Sequence, residues 1–498
     1  MNREADSTST GTLCKVDSNL LERGILNRFI HLVSARGVET LASVAFFLYL
    51  AWLNSFIYGE IMYALAAASV VMKAVEFGLY YPLVATLGRN GSASKSDILN
   101  HVNLIKLALL VPTMSFVVGF GIFKAFSMEM ALVLILICLG FGLEALADTF
   151  FADLRVRGRQ DWEARIKIAG SLLGYGYGLL AAAVGLHPVI ISLFALISAS
   201  ARLGFAIMYS LATYSGTLFG YPKWPAVWTL FRGALTFALI EILGVVYNKT
   251  NIFFLEGATG VKGVAYYSAT WNIVEPVSTL ASEQLLAWVI FPLLASLWWS
   301  NRTRANGLVR SNALWLMAVA FPIMLFLYAE SDLLIRLVYP ADFSDAAWMQ
   351  KYLVWTILLS FENNLFFYVM MVAGGSNALL LFSVIVTLLN LLFNWTLVEP
   401  FGLMGGCLVI ILTKLAMALL TFLYCEIRFR FFGAIDALFP LVLTTMSLAI
   451  FVLVKPIMGL HTAVVTTLVF YFIMIWRLGE RFLGPLPTGG PVPLSRDS

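Results

Sequence analysis

The stretch SVVMKAVEFGLYYP, residues 69–82, decides how the rest of this sequence is read. It lies inside a long apolar run that begins near Phe56, and it places Lys73 and Glu76 three residues apart. A helix of about 20 apolar residues is long enough to cross a bilayer. A charge at the centre of such a helix costs about 2.5–3.5 kcal/mol on insertion scales. The two charges therefore indicate an internal ion pair or a water-filled cavity.

The composition extends this interpretation to the whole chain. Of 498 residues, 60% are hydrophobic and only 12% are charged, and the mean hydropathy is +0.88. Soluble domains carry about 25% charged residues. Apolar runs of roughly 20–30 residues recur along the sequence, whereas a strand of a membrane barrel needs only about 10. The predicted fold class is an all-α, polytopic membrane helical bundle.

Several functional classes lack support in the sequence. The net charge of +4 is too small to predict nucleic-acid binding, and the four cysteines have no CxxC spacing. No Walker A, HExxH or GxSxG motif is present, and the four histidines lie at span ends. We therefore predict no catalytic residue, no metal site and no cofactor.

The basic residues predict the number of spans and their orientation. Fourteen candidate spans run from about 28–53 to about 460–480, and 21 Lys and Arg residues fall on one set of alternate loops against five on the other. Cytoplasmic loops carry an excess of Lys and Arg. The alternation predicts about fourteen transmembrane helices with both termini in the cytoplasm.

A weak internal repeat predicts two similar halves. YGEIMYALAA (58–67) opens the second span and KGVAYYSATW (262–271) opens the eighth, which gives a period of six helices. In helical carriers such a repeat indicates two lobes with a site near the midplane. The predicted segments are a disordered N-tail (1–24), an N-lobe (25–215), a C-lobe (216–430), two extra helices (431–481) and a disordered tail (482–498).

Charged residues inside spans are the candidate site residues, because they are costly unless paired or hydrated. The candidate substrate-binding cations are Arg36, Lys73, Arg202 and Lys249, and the candidate coupling or gating residues are Glu39, Glu76, Glu275 and Pro276. Pro276 is expected to kink its helix. Arg36–Glu39 and Lys73–Glu76 have i, i+3 spacing, so each pair is either an intrahelical salt bridge or part of a cavity. Lys249, nearer a span end, is also a candidate for snorkelling to the membrane surface. A cationic interior suits a phosphate or pyrophosphate.

Four stretches resemble the Wzx-like oligosaccharide flippases of the MOP superfamily, which are related to MATE transporters and to the lipid II flippase. They are FIYGEIMYALAAASVVMKAVEFGLYYPLV (56–84), FFADLRVRGRQDWEARIKIAGSLL (150–173), YNKTNIFFLEGATGVKGVAYYSATWNIVEP (247–276) and VEPFGLMGGCLVIILTKL (398–415). In the family an acidic residue often precedes the FFL-type run of the third stretch. Here that position is Asn251, which we count with the candidate substrate-binding residues.

The resemblance implies a transporter rather than an enzyme. It implies two six-helix lobes plus two C-terminal helices, in the cytoplasmic (inner) membrane. The implied substrate is a polyprenyl-pyrophosphate-linked oligosaccharide for surface polysaccharide such as lipopolysaccharide. Implied partners are membrane lipids, an H⁺ or Na⁺ coupling ion, and a polysaccharide polymerase or glycosyltransferases. Two alternatives remain open: a MATE-like cation-coupled efflux antiporter, and a membrane-embedded glycan ligase or polymerase.

Overall fold

The computed structural model describes residues 34, 36–89, 92–214, 223–279, 286, 290–432 and 434–482. The predicted N-tail and the part of the predicted C-terminal tail after Phe482 lie outside these residues. Within them the secondary structure is helical, with short turns between the helices.

Eighteen helices follow one another in the described residues, and the first is α1 (Arg36–Leu53). The others are α2 (Ser55–Glu76), α3 (Tyr80–Arg89), α4 (Ser92–Phe123), α5 (Met128–Val156), α6 (Gln160–Ala183), α7 (Pro188–Ile191), α8 (Leu193–Thr213), α9 (Trp224–Thr279), α10 (Phe291–Ser300), α11 (Arg302–Ala329), α12 (Ser331–Val338), α13 (Ala347–Leu353), α14 (Trp355–Val372), α15 (Ser376–Phe393), α16 (Glu399–Phe429), α17 (Ala434–Met458) and α18 (Leu460–Phe482). A 3₁₀ turn, Ala341–Ala346, precedes α13, and a π-helical turn, Asn394–Val398, joins α15 to α16.

The number of membrane crossings agrees with the sequence. Eleven helical segments of the described chain are long and apolar enough to cross a membrane. Two of them, α9 and the continuous α15–α16 segment, contain 56 and 54 residues and are each broken once. The breaks lie at Gly260 (φ 71°) and Gly402 (φ 53°), in a region of φ that favours glycine, so each segment supplies two crossings. With α17, which contains the shorter apolar segment Val442–Met458, the described residues have enough apolar helical length for the predicted fourteen spans, and the predicted polytopic helical fold is confirmed.

The chain divides into two compact units, Met1–Lys249 and Thr250–Ser498. We call them unit 1 and unit 2. Their boundary lies inside α9, near the middle of the chain. The finer division into an N-lobe, a C-lobe and two extra helices stays a prediction.

Unit 1 is built around α5, which packs against both α2 and α8. The glycines at 170, 174 and 178 of α6 form overlapping GxxxG motifs that predict close helix packing. A Cβ at Gly174 would lie 2.7 Å from the Phe194 carbonyl oxygen of α8, so these two backbones are in close contact. This glycine face brings α6 near Arg202, which lies two turns further along α8.

Unit 2 contains the two C-terminal helices, and α17 packs against α18. Tyr471 of α18 stacks on Phe321 of α11 with ring centroids 4.4 Å apart, and its hydroxyl donates to the Met317 carbonyl at 3.2 Å. The last helix is therefore joined to the body of unit 2 by an aromatic contact and a hydrogen bond.

Candidate functional site

Unit 1 carries a group of charged side chains inside the membrane-spanning length of its helices, which we call the ionic core. Its nine members are Glu39, Lys73, Glu76, Lys106, Glu144, Asp148, Lys167, Arg202 and Glu241. They come from seven different helices, so the bundle assembles the ionic core from distant parts of the sequence. Five members are carboxylates and four are cations. The ionic core is thus mixed in sign, where the sequence predicted a cationic interior.

Arg202 of α8 is held on three sides. Its guanidinium donates to Glu144 of α5, to Glu39 of α1 at 2.6 Å and to the Ser171 hydroxyl of α6 at 2.7 Å. Its side chain is only 3% exposed. A Cβ at Gly170 would overlap the Arg202 side chain, which explains why the GxxxG face of α6 is needed here. Arg202 therefore joins four helices, and its role as a substrate-binding residue stays a prediction.

Lys73 of α2 has a different environment. Its ammonium donates to Glu76 at 2.7 Å and to Glu241 of α9 at 3.3 Å. The Lys73 side chain is 31% exposed, more than the side chain of either carboxylate. An ammonium has three N–H donors, and among the described residues these two contacts use two of them. Lys73 can therefore meet a further acceptor without moving.

Five members of the ionic core were not among the site residues predicted from the sequence: Lys106, Glu144, Asp148, Lys167 and Glu241. Lys106 of α4 is buried and donates to the Ala145 carbonyl at 2.6 Å. Asp148 of α5 interacts electrostatically with Lys167, Glu76 and Lys106. The available signal was the i, i+4 spacing of Glu144 and Asp148, which places two carboxylates on one face of a single helix.

The other predicted cations of the N-terminal half lie at the edge of this arrangement. Arg36 is 3.5 Å from Glu39, but its side chain is 67% exposed. Lys249, the last residue of unit 1, is half-buried on α9. The structure thus brings Glu39, Lys73, Glu76 and Arg202 into one network, with Arg36 on its exposed side.

Arginines of the basic stretch around the α5–α6 turn, part of the predicted family stretch, are paired with acidic neighbours. Arg155 donates to Glu163 at 2.6 Å, and Arg157 pairs with Asp153 at 3.0 Å. Tyr214 donates to the same aspartate at 2.8 Å. Burial raises the pKa of the Tyr214 phenol, so this hydroxyl keeps its proton and remains a donor at neutral pH. The loop is a structural connection between α5, α6 and the end of α8.

The described part of unit 2 contains buried amide side chains and no group of charged side chains comparable to the ionic core. Asn251 is fully buried and donates to the Tyr267 hydroxyl, while its own carbonyl oxygen has no partner among the described residues. Asn390 donates to Thr413 at 3.0 Å, and Asn394 donates to Asn390 at 3.0 Å. Asn394, at the start of the π-helical turn, also has a buried carbonyl oxygen that lacks a partner in the described part of the chain. The repeat predicted by the sequence therefore does not extend to the interior charges of the two units.

The charged residues inside unit 2 are more dispersed. Lys414 of α16 donates to Ser360 at 2.7 Å and lies 5.1 Å from the centroid of the Trp271 ring. Glu275 is half-buried, and α9 continues through Pro276 to Thr279. The non-helical residue in this segment is Gly260, and the kink predicted at Pro276 stays a prediction. Across the described residues, His, Cys, Asp and Glu side chains form no group of three that could hold a metal ion.

Comparison with solved structures identifies the fold. An inward-facing multidrug resistance MATE family transporter of the MOP superfamily is 16% identical with a TM-score of 0.60, covering 79% of this chain and 94% of the other. The lipid II flippase MurJ, in an inward closed conformation, is 15% identical with a TM-score of 0.62, covering 91% of this chain and 98% of the flippase. A third similar structure is a MOP superfamily transporter from Pyrococcus furiosus Vc1 (DSM3638), described as having a binding pocket of reverse polarity. It is 16% identical with a TM-score of 0.56, and the match covers 82% of this chain and 95% of that transporter.

These likenesses confirm the MOP-type fold that the sequence resemblance predicted. No protein-family model and no curated protein sequence matches the chain.

Proposed function

We propose that this protein is a flippase that moves a polyprenyl-pyrophosphate-linked oligosaccharide across the cytoplasmic (inner) membrane by alternating access, for surface polysaccharide biosynthesis. The observation that carries the proposal is the extent of the architecture. The chain matches the lipid II flippase over 91% of its length, whereas it matches the MATE transporter over 79%.

The ionic core supports a charged head group as the transported part. A pyrophosphate needs cations and hydrogen-bond donors to leave water, while the polyprenyl tail can remain in the lipid. Lys73 offers an ammonium that is one-third exposed. The carboxylates around it would keep the head group from binding too tightly to be released, and they are the groups that a coupling H⁺ or Na⁺ would meet.

The setting of this activity follows from the same proposal. Both termini would lie in the cytoplasm, next to the glycosyltransferases that build the lipid-linked substrate. A polysaccharide polymerase on the opposite side of the membrane would use the flipped product.

The experiment is a flipping assay with the full chain in proteoliposomes. A fluorescent undecaprenyl-pyrophosphate oligosaccharide is placed in both leaflets, and an impermeant quencher reports how much of it the protein exposes. We expect the quenched fraction to rise from about half to nearly all the lipid. A quenched fraction equal to that of empty liposomes, with correctly folded protein present, would overturn the proposal.

A MATE-like cation-coupled antiporter is the second candidate, and the excess of carboxylates over cations in the ionic core favours it. A drug antiporter would move a lipophilic cation such as ethidium down an imposed H⁺ or Na⁺ gradient. The same proteoliposomes test this, because ethidium movement without lipid flipping would replace the first proposal by the second.

A further inference from the structure

The contact between α2 and α9 combines an ion pair with a backbone break. Lys73 and Glu241 connect the two helices at 3.3 Å. One turn further along the chain, α2 ends at Glu76. Phe77 (φ 48°) and Gly78 (φ 57°) then have left-handed backbone conformations, and α3 begins at Tyr80. The ion pair therefore lies next to the point where this span changes direction.

The break itself packs against α9. Phe77 stacks on Phe231 with ring centroids 4.7 Å apart and an interplanar angle of 10°. A Cβ at Gly78 would overlap the backbone of Phe237 and Ala238. Aromatic stacking and close packing thus hold α9 on the break, and the Lys73–Glu241 pair is the polar part of the same contact.

Glu76 and Glu241 contact the same ammonium but differ in what they connect. Glu76 belongs to α2, three residues from Lys73, so its contact with Lys73 cannot tie α2 to another helix. Glu241 belongs to α9, 168 residues away in sequence. Replacing Glu241 on the ammonium by another anion would remove a link between helices, while replacing Glu76 would not.

We propose that Glu241 pairs with the Lys73 ammonium only in the substrate-free protein, and that the phosphate of the substrate displaces it from the ammonium. This inference rests on the proposed function. A phosphate carries more negative charge and more acceptor oxygens than one carboxylate, so it is the stronger partner for an ammonium. Once Glu241 is displaced, the aromatic stack and the close packing of α9 on the break remain, but this ion pair between the helices is lost. Binding of the head group thereby loosens the α2–α9 contact, which is the differential interaction that a conformational change requires.

The test measures binding of farnesyl pyrophosphate to the purified full chain, with farnesol as the uncharged control. We expect Glu241→Gln to tighten farnesyl pyrophosphate binding by about three- to tenfold, because the competing carboxylate is gone. Lys73→Gln should weaken binding by about tenfold or more. In a protein that already carries Lys73→Gln, adding Glu241→Gln should not tighten farnesyl pyrophosphate binding, because the ammonium for which Glu241 and the ligand compete is absent. Farnesol binding should be equal in all four proteins.

Two results would overturn the inference. If Glu241→Gln increased the affinity equally in the protein with Lys73 and in the Lys73→Gln variant, Glu241 would only repel anions at a distance. Unchanged affinity in Glu241→Gln would mean that the pair is a structural salt bridge. If the unmodified protein neither binds farnesyl pyrophosphate nor flips the lipid-linked oligosaccharide, the proposed function itself fails. If it does both and Glu241→Gln still binds like the unmodified protein, only the inference fails.

A second measurement reports on the helices directly. Phe77→Cys and Phe231→Cys are combined in a protein without other cysteines, and disulfide formation is followed with time. We expect farnesyl pyrophosphate to slow cross-linking several-fold, and Glu241→Gln to slow it without any ligand. Glu76→Gln is the matched control, because it removes a carboxylate from the same ammonium but leaves α9 attached. Equal cross-linking rates in Glu241→Gln and Glu76→Gln would contradict the proposal that Glu241 is the carboxylate that is displaced.

Discussion

Lys73 and Arg202 are both cations inside membrane-spanning helices, but they differ in exposure and in contacts, and we expect them to have different roles. Lys73 is partly exposed and contacts two carboxylates. Arg202 is buried and held by two carboxylates and a hydroxyl. The sequence placed both among the substrate-binding candidates because a helix pattern shows depth in the membrane. It does not show which neighbouring helix supplies a partner.

Replacing Lys73 by alanine should impair transport without unfolding the protein. Its ammonium faces a partly open space, and we expect Lys73→Ala to lower the rate of lipid flipping by about tenfold, the effect of losing a charged contact of about 1.4 kcal/mol. The matched control is Lys351→Ala, since Lys351 has similar exposure and pairs with Asp332 at 2.6 Å outside the ionic core. Equal flipping rates for Lys73→Ala and Lys351→Ala would contradict a substrate role for Lys73.

Replacing Arg202 should act on stability instead. Arg202→Ala leaves Glu39 and Glu144 without their shared cation, and breaking a buried ion pair in this way costs about 3–5 kcal/mol. We expect a marked loss of thermal stability in detergent, followed by the apparent melting temperature of the purified protein. Adding Glu144→Gln to Arg202→Ala should recover part of the loss. If Arg202→Ala melts like the unmodified protein but no longer flips lipid, Arg202 is a substrate-binding residue after all.

At the scale of helices, the sequence predicted the elements well and their breaks only in part. Apolar length was sufficient to predict a polytopic helical bundle, because the length of a spanning helix follows from bilayer thickness. The break at Phe77–Gly78 and the π-helical turn before α16 were not predicted, since both depend on tertiary contacts that a local pattern does not contain.

The glycine face of α6 provides a test at this scale. Gly174→Leu would force a side chain into the Phe194 carbonyl region of α8, and overpacking of this kind costs about 1–3 kcal/mol or more. We expect a lower yield of folded protein on size-exclusion chromatography. Gly176→Leu is the control on the same helix, because a Cβ at Gly176 meets nothing within 4 Å. Similar yields of folded protein for the two variants would contradict the close packing of α6 and α8.

At the scale of the whole molecule, the predicted orientation can be tested by labelling. Asn377→Cys, next to the α14–α15 turn, is expected on the cytoplasmic side, and Leu186→Cys, between α6 and α7, on the outer side. In a protein without other cysteines, an impermeant maleimide added to intact cells should label the cysteine at 186 and not the one at 377. Labelling of the cysteine at 377 from outside would refute the fourteen-span orientation.

The interior of the whole molecule was the least predictable property. Counting charges in spans identified Arg36, Lys73 and Arg202 and suggested a cationic cavity. Glu144, Asp148 and Glu241 were not predicted as site residues, and once they are counted together with Lys106 and Lys167, carboxylates outnumber cations five to four in the ionic core. Net charge in an interior is a sum over helices that only the fold brings together. The sequence does not show which helices are neighbours, so it does not give the net charge of the interior.

The i, i+3 pairs also have a consequence for how the nascent chain enters the membrane. Glu39 is synthesised 163 residues before Arg202, a delay of roughly 8–33 s at about 5–20 residues per second. During that interval Arg36 is the cation within reach of Glu39, and Glu76 is the anion within reach of Lys73. Each early helix thus carries its own counter-charge into the translocon and gains a distant partner in addition when α8 or α9 is inserted. The local pairs make these helices insertable before the ionic core exists.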